Sequence, residues 1–549
     1  MSTHTDSDVV FAPGNPPEQA GWPGSDYSRE IDGDMLIERN VSVPMRDGLQ
    51  LLVDLYRPTE TTTDLPVLIA WAPYGKHGAL SYAGWPGHDV DLDQLSKYTC
   101  FETPDPAFWV GHGYAVILAD ARGSWGSEGN VTMFAPEEVD ACCDLVEWAG
   151  EQDWSNGKVG MSGVSWYSVI QWGVAAANPA HLAAINPWEG FSDPYKEFGT
   201  HGGIPETQMT ANLAPLIVNS HGKVEDALAN AMNHPFYDAY WQDKAPDLTA
   251  IEVPAYIVAS WSDHGLHTRG TLEGFRKASS PHKWLEVHGR KKWAYYYEPA
   301  SLARQVAFFD HALKGLDTEV ADWPPVRLEV RDRAYTGTWR DENEWPLNRT
   351  DYTTLYLDAA DHTLTSAQPD AAATARYDAR EGHTSFEHTF TADTELTGYA
   401  KLRLWVEAEG ANDLDLFVAL QKIDRDGNLV QFPFFSTFDD GNVALGWLRV
   451  SRRELDLDAT AEQPRYTQQS DQPLTPGEIV PVDIEIWPAG TLFGAGETLR
   501  VLIQGHDVNR YDEGLFAQSH SFTVNAGTHI IHTGGDYDSH LLLPVIPTP

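Results

Sequence analysis

Residues 158–172 read Lys-Val-Gly-Met-Ser-Gly-Val-Ser-Trp-Tyr-Ser-Val-Ile-Gln-Trp. An apolar, β-prone run enters a serine flanked by glycine and leaves into a helix-forming segment. A serine on so sharp a strand-to-helix turn has its hydroxyl exposed, and the helix N-terminus behind it favours developing negative charge. The chemistry this suggests is acyl transfer through a serine ester. Two serines compete, Ser162 in Gly160-Met161-Ser162-Gly163 and Ser165 in Gly163-Val164-Ser165-Trp166-Tyr167, and neither completes Gly-x-Ser-x-Gly. The nucleophile must be followed at once by helix. Trp166 to Gln171 contains no glycine or proline, whereas Gly163 interrupts any helix begun after Ser162. Ser165 is the favoured nucleophile.

The elements that must position it are legible as apolar runs of the kind found in buried parallel strands: Val67 to Trp71, Ala115 to Ala119, Val159 to Met161, Ala255 to Ala259 and Lys283 to Val287. Helical patterns lie between them, as in Glu137 to Glu151, and a helix from Pro299 to Leu313 closes this part. Alternation of strand and helix predicts an α/β-hydrolase domain over 35–189 and 250–334. Residues 190–249, with helix-forming stretches Glu206 to Val218 and Val224 to Met232, read as a helical lid, and residues 1–34, rich in Pro, Gly, Ser and Asp, as an N-terminal arm. Beyond 335 short alternating strands such as Val482 to Ile486 predict a C-terminal β-sandwich of jelly-roll type. Asp424-Arg425-Asp426-Gly427-Asn428 reads as a hairpin turn, because a calcium loop would need its glycine two positions later and a following glutamate.

In this fold the partners of the serine follow in the order acid, then histidine, each at a strand end. Past Ala259 the chain reads Ser260-Trp261-Ser262-Asp263-His264, and directly after Val287 stands His288. Asp263 is therefore expected to orient His288, and His288 to act as general base for Ser165. His264 and His267 next to Asp263 raise the question of a metal, but the spacing lacks a full helical turn and no fourth ligand is evident. No metal and no cofactor are expected.

Composition narrows the partners. With 37 basic against 80 acidic residues, a net charge of −43 disfavours nucleic acid and anionic membrane surfaces. The N-terminal residues lack the pattern of a signal peptide, no apolar run is long enough to span a bilayer, and three cysteines, Cys100, Cys142 and Cys143, make no disulfide framework. The expectation is a cytoplasmic protein with a small-molecule ester or amide substrate. Assembly as a homo-oligomer is left open.

With Ser165, Asp263 and His288 in place, the chain from about residue 38 onward resembles the cocaine esterase and X-prolyl dipeptidyl aminopeptidase family of serine hydrolases. Val43 to Gly48 is similar to that family's entry hairpin, Pro73-Tyr74-Gly75-Lys76 to its Pro-Tyr-Gly-Lys loop, Asp120-Ala121-Arg122-Gly123 with Ser127-Glu128-Gly129 to its Asp-x-Arg-Gly turn, and Trp261-Ser262-Asp263 to its acid-bearing segment. The resemblance implies an oxyanion hole made by the Tyr74 hydroxyl and the Trp166 backbone N–H. Three departures stand out: Trp166 and Ser168 where the family has Tyr and Gly, a short lid region, and His288 directly after a strand rather than in Gly-Pro-Trp-x-His. The leading reading is a carboxylic ester hydrolase. A dipeptidyl peptidase or α-amino-acid ester hydrolase is the alternative. It would need acidic groups such as Glu189 or Asp193 at the pocket to hold an ammonium. A hydrolase scaffold serving only as a binding protein is the third reading.

Overall fold

Apolar runs of five or six residues bounded by Pro, Gly and Asp become the centre of one twisted sheet, described in a computed structural model that covers residues 9–60, 63–512 and 516–547. Across the sheet the strands run Ser28–Asp32, Met35–Pro44, Gln50–Pro58, Ala115–Asp120, Leu65–Ala72, Ser155–Val164, Leu182–Trp188, Ala255–Ser260, Lys283–His288, Val326–Arg333 and Thr336–Glu342. From Ala115–Asp120 to Val326–Arg333 all pairings are parallel, which explains why these strands are apolar on both faces. Helices Pro136–Gly150, Trp166–Ala177, Thr268–Lys277 and Pro299–Lys314 cover the faces. On one side Trp71, Trp172 and Trp261 are buried with Ile69, Ile117 and Ile257.

The described part of the stretch expected to be an arm, from residue 9 onward, is paired. Phe11–Pro13 pairs antiparallel with Lys223–Glu225, and Ser28–Asp32 forms a hairpin with Met35–Pro44. The first of these pairings also alters the expected lid. The helix Met209–Ile217 falls within the stretch read as helical, but Lys223–Glu225 is drawn into a strand and the next helix starts only at Ala227, ending at Asn233. No described helix is long and apolar enough to cross a membrane.

The C-terminal part is all β. The long strand Thr394–Glu409 pairs on one edge with Val480–Phe493 and on the other with Thr528–Thr533 and His540–Ile546. A second set, His383–Thr389, Thr498–Gln504, Asp415–Ile423 and Ala444–Arg449, is likewise antiparallel. Their alternating apolar residues, among them Leu404, Val406, Val418, Leu420, Ile484 and Val501, meet in one core. Asp424 to Asn428 is a hairpin turn, with the Asp424 N–H donating to Asn428 O at 2.9 Å.

Candidate active site

The strand Ser155–Val164 delivers Ser165 to the N-terminus of the helix Trp166–Ala177. Ser165 has φ 60° and ψ −117°, a strained conformation for a residue with a side chain and the one an elbow requires. The turn closes only because its neighbours are small. Gly163 has φ +134°, and a Cβ there would lie 2.5 Å from Tyr167 Cβ. A Cβ on Gly190 would lie 2.4 Å from the hydroxyl of Ser168, the residue standing where the related motif has glycine. Ser162 faces away from this turn and bonds the Tyr296 hydroxyl at 2.9 Å.

The imidazole that meets Ser165 is His267. Its Nε2 lies 3.4 Å from Ser165 Oγ, and its Nδ1 lies 2.5 Å from Asp263 Oδ2. Asp263 and His267 sit on one turn that follows the strand Ala255–Ser260, where the Asp263 carbonyl accepts from the N–H groups of Leu266, His267 and Thr268. His288 is not brought to this pair. It ends the strand Lys283–His288 opposite Ser260, its Nε2 stands 3.0 Å from Glu189 Oε1, and its ring packs on Tyr295 at 4.0 Å. In place of a histidine, the segment after that strand sends Lys292 to Asp263, Nζ to Oδ2 at 3.0 Å, with His267 Nδ1 at 3.2 Å. The expectation of an Asp263–His288 pair is thus corrected. The register of the strand Lys283–His288 turns His288 behind the site. The spacing that marks His267, four residues after Asp263 and so on the same helical face, was visible in the sequence, but as part of His264-x-x-His267 it suggested only a metal. His264 points elsewhere, its Nδ1 accepting from the Leu445 N–H at 3.1 Å.

All of these groups are buried, and burial governs their charge. It pushes His267 down to about 4, helped by the neighbouring Lys292 cation and opposed by Asp263. The ring is therefore neutral near pH 7 and can take a proton. Burial works against ionisation of Asp263, but Lys292 and His267 overcome it and hold the carboxyl well below the usual range. Glu189, buried beside Asp263, is pushed well above the usual carboxylate range by burial and by that neighbour's charge. It is a neutral acid behind the site. His288 is also pushed down by burial, to about 4.

Tyr74 follows the strand Leu65–Ala72 in a loop pinned at two points. Gly75 has φ +93° and its position is closed by Trp125, and the Lys76 N–H donates to Asp120 Oδ1 at 2.9 Å. The Tyr74 hydroxyl interacts with the Ser165 side chain, and its acidity is suppressed by burial and by Glu102. It faces the serine as a neutral donor. The N–H of Trp166, in the first turn of its helix, lacks an intrahelical acceptor. The indole of Trp166 does not swing freely into the pocket. It donates to Glu138 Oε1 at 3.0 Å, which also accepts from the Trp71 indole at 3.0 Å, while Oε2 accepts from the Phe134 N–H at 2.6 Å. Glu138, which the sequence reading passed over as a helix residue, fixes the wall of the site.

That wall encloses a small apolar cavity at Ser165 and His267, completed by Phe134, Phe191, Phe198, Met209, Leu213, Leu266 and Phe516. None of the described residues lining it is a carboxylate. Asp193 is turned to Lys196 at 2.9 Å.

The elbow on a parallel sheet, with an apolar cavity over the serine, defines a serine hydrolase of the α/β-hydrolase fold. A family model for the X-Pro dipeptidyl-peptidase (S15 family) matches residues 47–223, and one for the X-Pro dipeptidyl-peptidase C-terminal non-catalytic domain matches 318–542. A solved CocE/NonD family hydrolase from Staphylococcus aureus is 38% identical over 96% of this chain and 98% of its own, with a TM-score of 0.92. The chain belongs to the CocE/NonD family of hydrolases. The cocaine esterase of a Rhodococcus species is 27% identical over 94% of this chain and 100% of its own length. A solved α-amino acid ester hydrolase, 18% identical with a TM-score of 0.71 over 94% of this chain and 98% of its own, shares the fold.

Proposed function

We propose that the protein hydrolyses carboxylic esters with an uncharged, apolar acyl group through an acyl-enzyme on Ser165, with His267 as general base and Asp263 as the group that orients it. The observation that carries this reading is the line from Ser165 Oγ to His267 Nε2 at 3.4 Å and from His267 Nδ1 to Asp263 at 2.5 Å, inside a cavity whose described lining has no carboxylate. Catalytic hydrogen bonds are commonly long without substrate and tighten in the complex. Ser165 attacks the carbonyl carbon while His267 takes its proton. The oxyanion then forms between the Tyr74 hydroxyl and the Trp166 N–H, where preorganised donors act most strongly. Collapse expels the alcohol, protonated by His267. Water, deprotonated by the same ring, then releases the acid. Lys292 keeps Asp263 ionised, and Asp263 in turn stabilises the imidazolium formed at each step.

The absence of a carboxylate among the described lining residues favours a neutral acyl group over a free α-amine, and so an ester hydrolase over a dipeptidyl peptidase. The test is a panel of aryl esters, aminoacyl esters and aminoacyl anilides, run with labelling of Ser165 by a fluorophosphonate. Preference for the aminoacyl substrates would overturn the substrate class, and failure of Ser165 to label would overturn the mechanism.

A further inference from the structure

The loop that carries Asp263 and His267 is held from outside the catalytic domain. Ser262 O accepts from the Phe435 N–H at 2.8 Å and His264 O from the Gln518 side chain at 2.9 Å, both groups of the C-terminal domain. The next carbonyl, Gly265 O, lies 2.6 Å from His201 Nε2. His201 Nδ1 lies 2.8 Å from His520 Nε2, and His520 Nδ1 lies 2.6 Å from Asp507 Oδ1. His201 belongs to the inserted segment after Trp188, and His520 and Asp507 to the C-terminal domain. Both rings are buried, packed with Trp447, Trp487 and Phe417.

Proton counting decides the state of this chain. Its two ends, a carbonyl and a carboxylate, only accept, so His201 Nε2 and His520 Nδ1 must each carry a proton. The contact between the rings needs a third. Two neutral imidazoles supply only two, so three bonds require one ring to be an imidazolium. We propose that Asp507, His520 and His201 form a positioning relay in which a buried His520 imidazolium, through neutral His201, fixes the Gly265 carbonyl and with it the placement of His267 against Ser165. The inference rests on His267 being the base.

The surroundings favour the extra proton on His520. Asp507 faces it directly, Glu206 accepts from the adjoining Ser519 N–H at 3.1 Å, and Asp415, itself paired with Arg449 at 2.8 Å, adds negative charge. The other ring of the relay, His201, is held well below the ordinary histidine value by burial and by His520, whereas Asp507, with Glu206 and Asp415, outweighs burial and raises His520. When pH rises through the raised value, the third proton leaves. Two lone pairs then face each other between the rings, and that repulsion is relieved only when His201 shifts its proton to Nδ1, which leaves Gly265 O without a donor.

The test uses the full chain. Histidine-selective 15N labelling, with the His520 resonances identified by their absence in His520→Gln, is expected to show two protonated nitrogens at pH 7. The alkaline limb of kcat should move to lower pH in Asp507→Asn and vanish in His520→Gln, whose amide still donates to His201 but does not titrate. His520→Leu should lose kcat by about 10- to 100-fold, the scale of a misplacement near 1 Å, with KM changed far less. The Gln variant should recover most of that loss. A single protonated nitrogen on His520, or an alkaline limb unmoved in His520→Gln, would overturn the relay. The nitrogen readout does not depend on Ser165 chemistry, so its failure is distinct from failure of the proposed mechanism, which shows instead as turnover surviving Ser165→Ala.

Discussion

Lys292 and His267 share one carboxylate: Asp263 Oδ2 accepts from the ammonium at 3.0 Å and faces His267 Nδ1 at 2.5 Å. A cation therefore stands within 3.2 Å of the imidazole proposed to accept a proton. With burial, the arrangement keeps the acid ionised and the ring neutral at once, and on the proposed mechanism it would set the pH range of the reaction.

That range gives the first prediction. His267 accepts a proton only when neutral, and its value is pushed down to about 4. The acid limb of kcat/KM, which reports the free enzyme, should thus lie near pH 4, well below the ordinary histidine value of 6.5. In Lys292→Met the lost cation makes protonation of His267 easier, so the limb should move up. A pH–rate profile on a pH-stable ester measures both. A limb that stays in place would remove Lys292 from this role.

Replacing each histidine separates the two candidates for the base. His267→Ala is expected to lower kcat by about 10⁴- to 10⁶-fold, as for loss of a triad member. His288→Gln should keep kcat within about threefold, since it neither touches Ser165 nor Asp263, and its cost should appear in thermal stability on the scale of a lost buried contact, about 1–3 kcal/mol. The reverse pattern would return the base to His288.

Ser165→Ala should reduce turnover by about 10⁶-fold or to background and abolish fluorophosphonate labelling. Ser162→Ala should remain active, because Ser162 bonds Tyr296 and Asn186 beneath the turn. A dead Ser162 variant would place the elbow three residues earlier.

Tyr74→Phe should lower kcat by about 10²- to 10³-fold, the usual cost of one oxyanion donor. The ring keeps its contacts with Phe101, Trp166 and Tyr167, so the melting temperature should hold. Full kcat in this variant would exclude Tyr74 from the hole.

A fragment ending near residue 335 should aggregate and lack wild-type turnover. It would strip Phe435, Leu445 and Gln518 from the loop 261–267 and expose the surfaces they cover. Soluble material with full activity would show the C-terminal domain to be an appendage.

The parallel sheet was legible because strands buried on both faces are continuous apolar runs, and Val67 to Trp71 or Ala115 to Ala119 are too short for buried helices. Ser165 and Asp263 were legible because a turn or a strand end fixes where each backbone lies. The histidine beside Ser165 was not, because strand order identifies where His288 begins but not where its ring points, and that ring lies by Glu189 rather than Asp263. The pairing of Phe11–Pro13 with Lys223–Glu225 escaped for a related reason. A Pro- and Gly-rich terminus reads as tail until a partner strand two hundred residues away completes its hydrogen bonds, and no local pattern announces that partner.

Gly265 has φ +91°, and the Gln518 amide occupies the space where any side chain on it would lie. The two residues meet across nearly half the length of the chain. During synthesis the elbow, the acid and the base all leave the ribosome long before Gln518 and His520 do. On the proposed mechanism a nascent chain therefore holds every reacting group while the residues that brace the loop 261–267 are still untranslated, and completion of the C-terminal domain would be the last step in arming the enzyme.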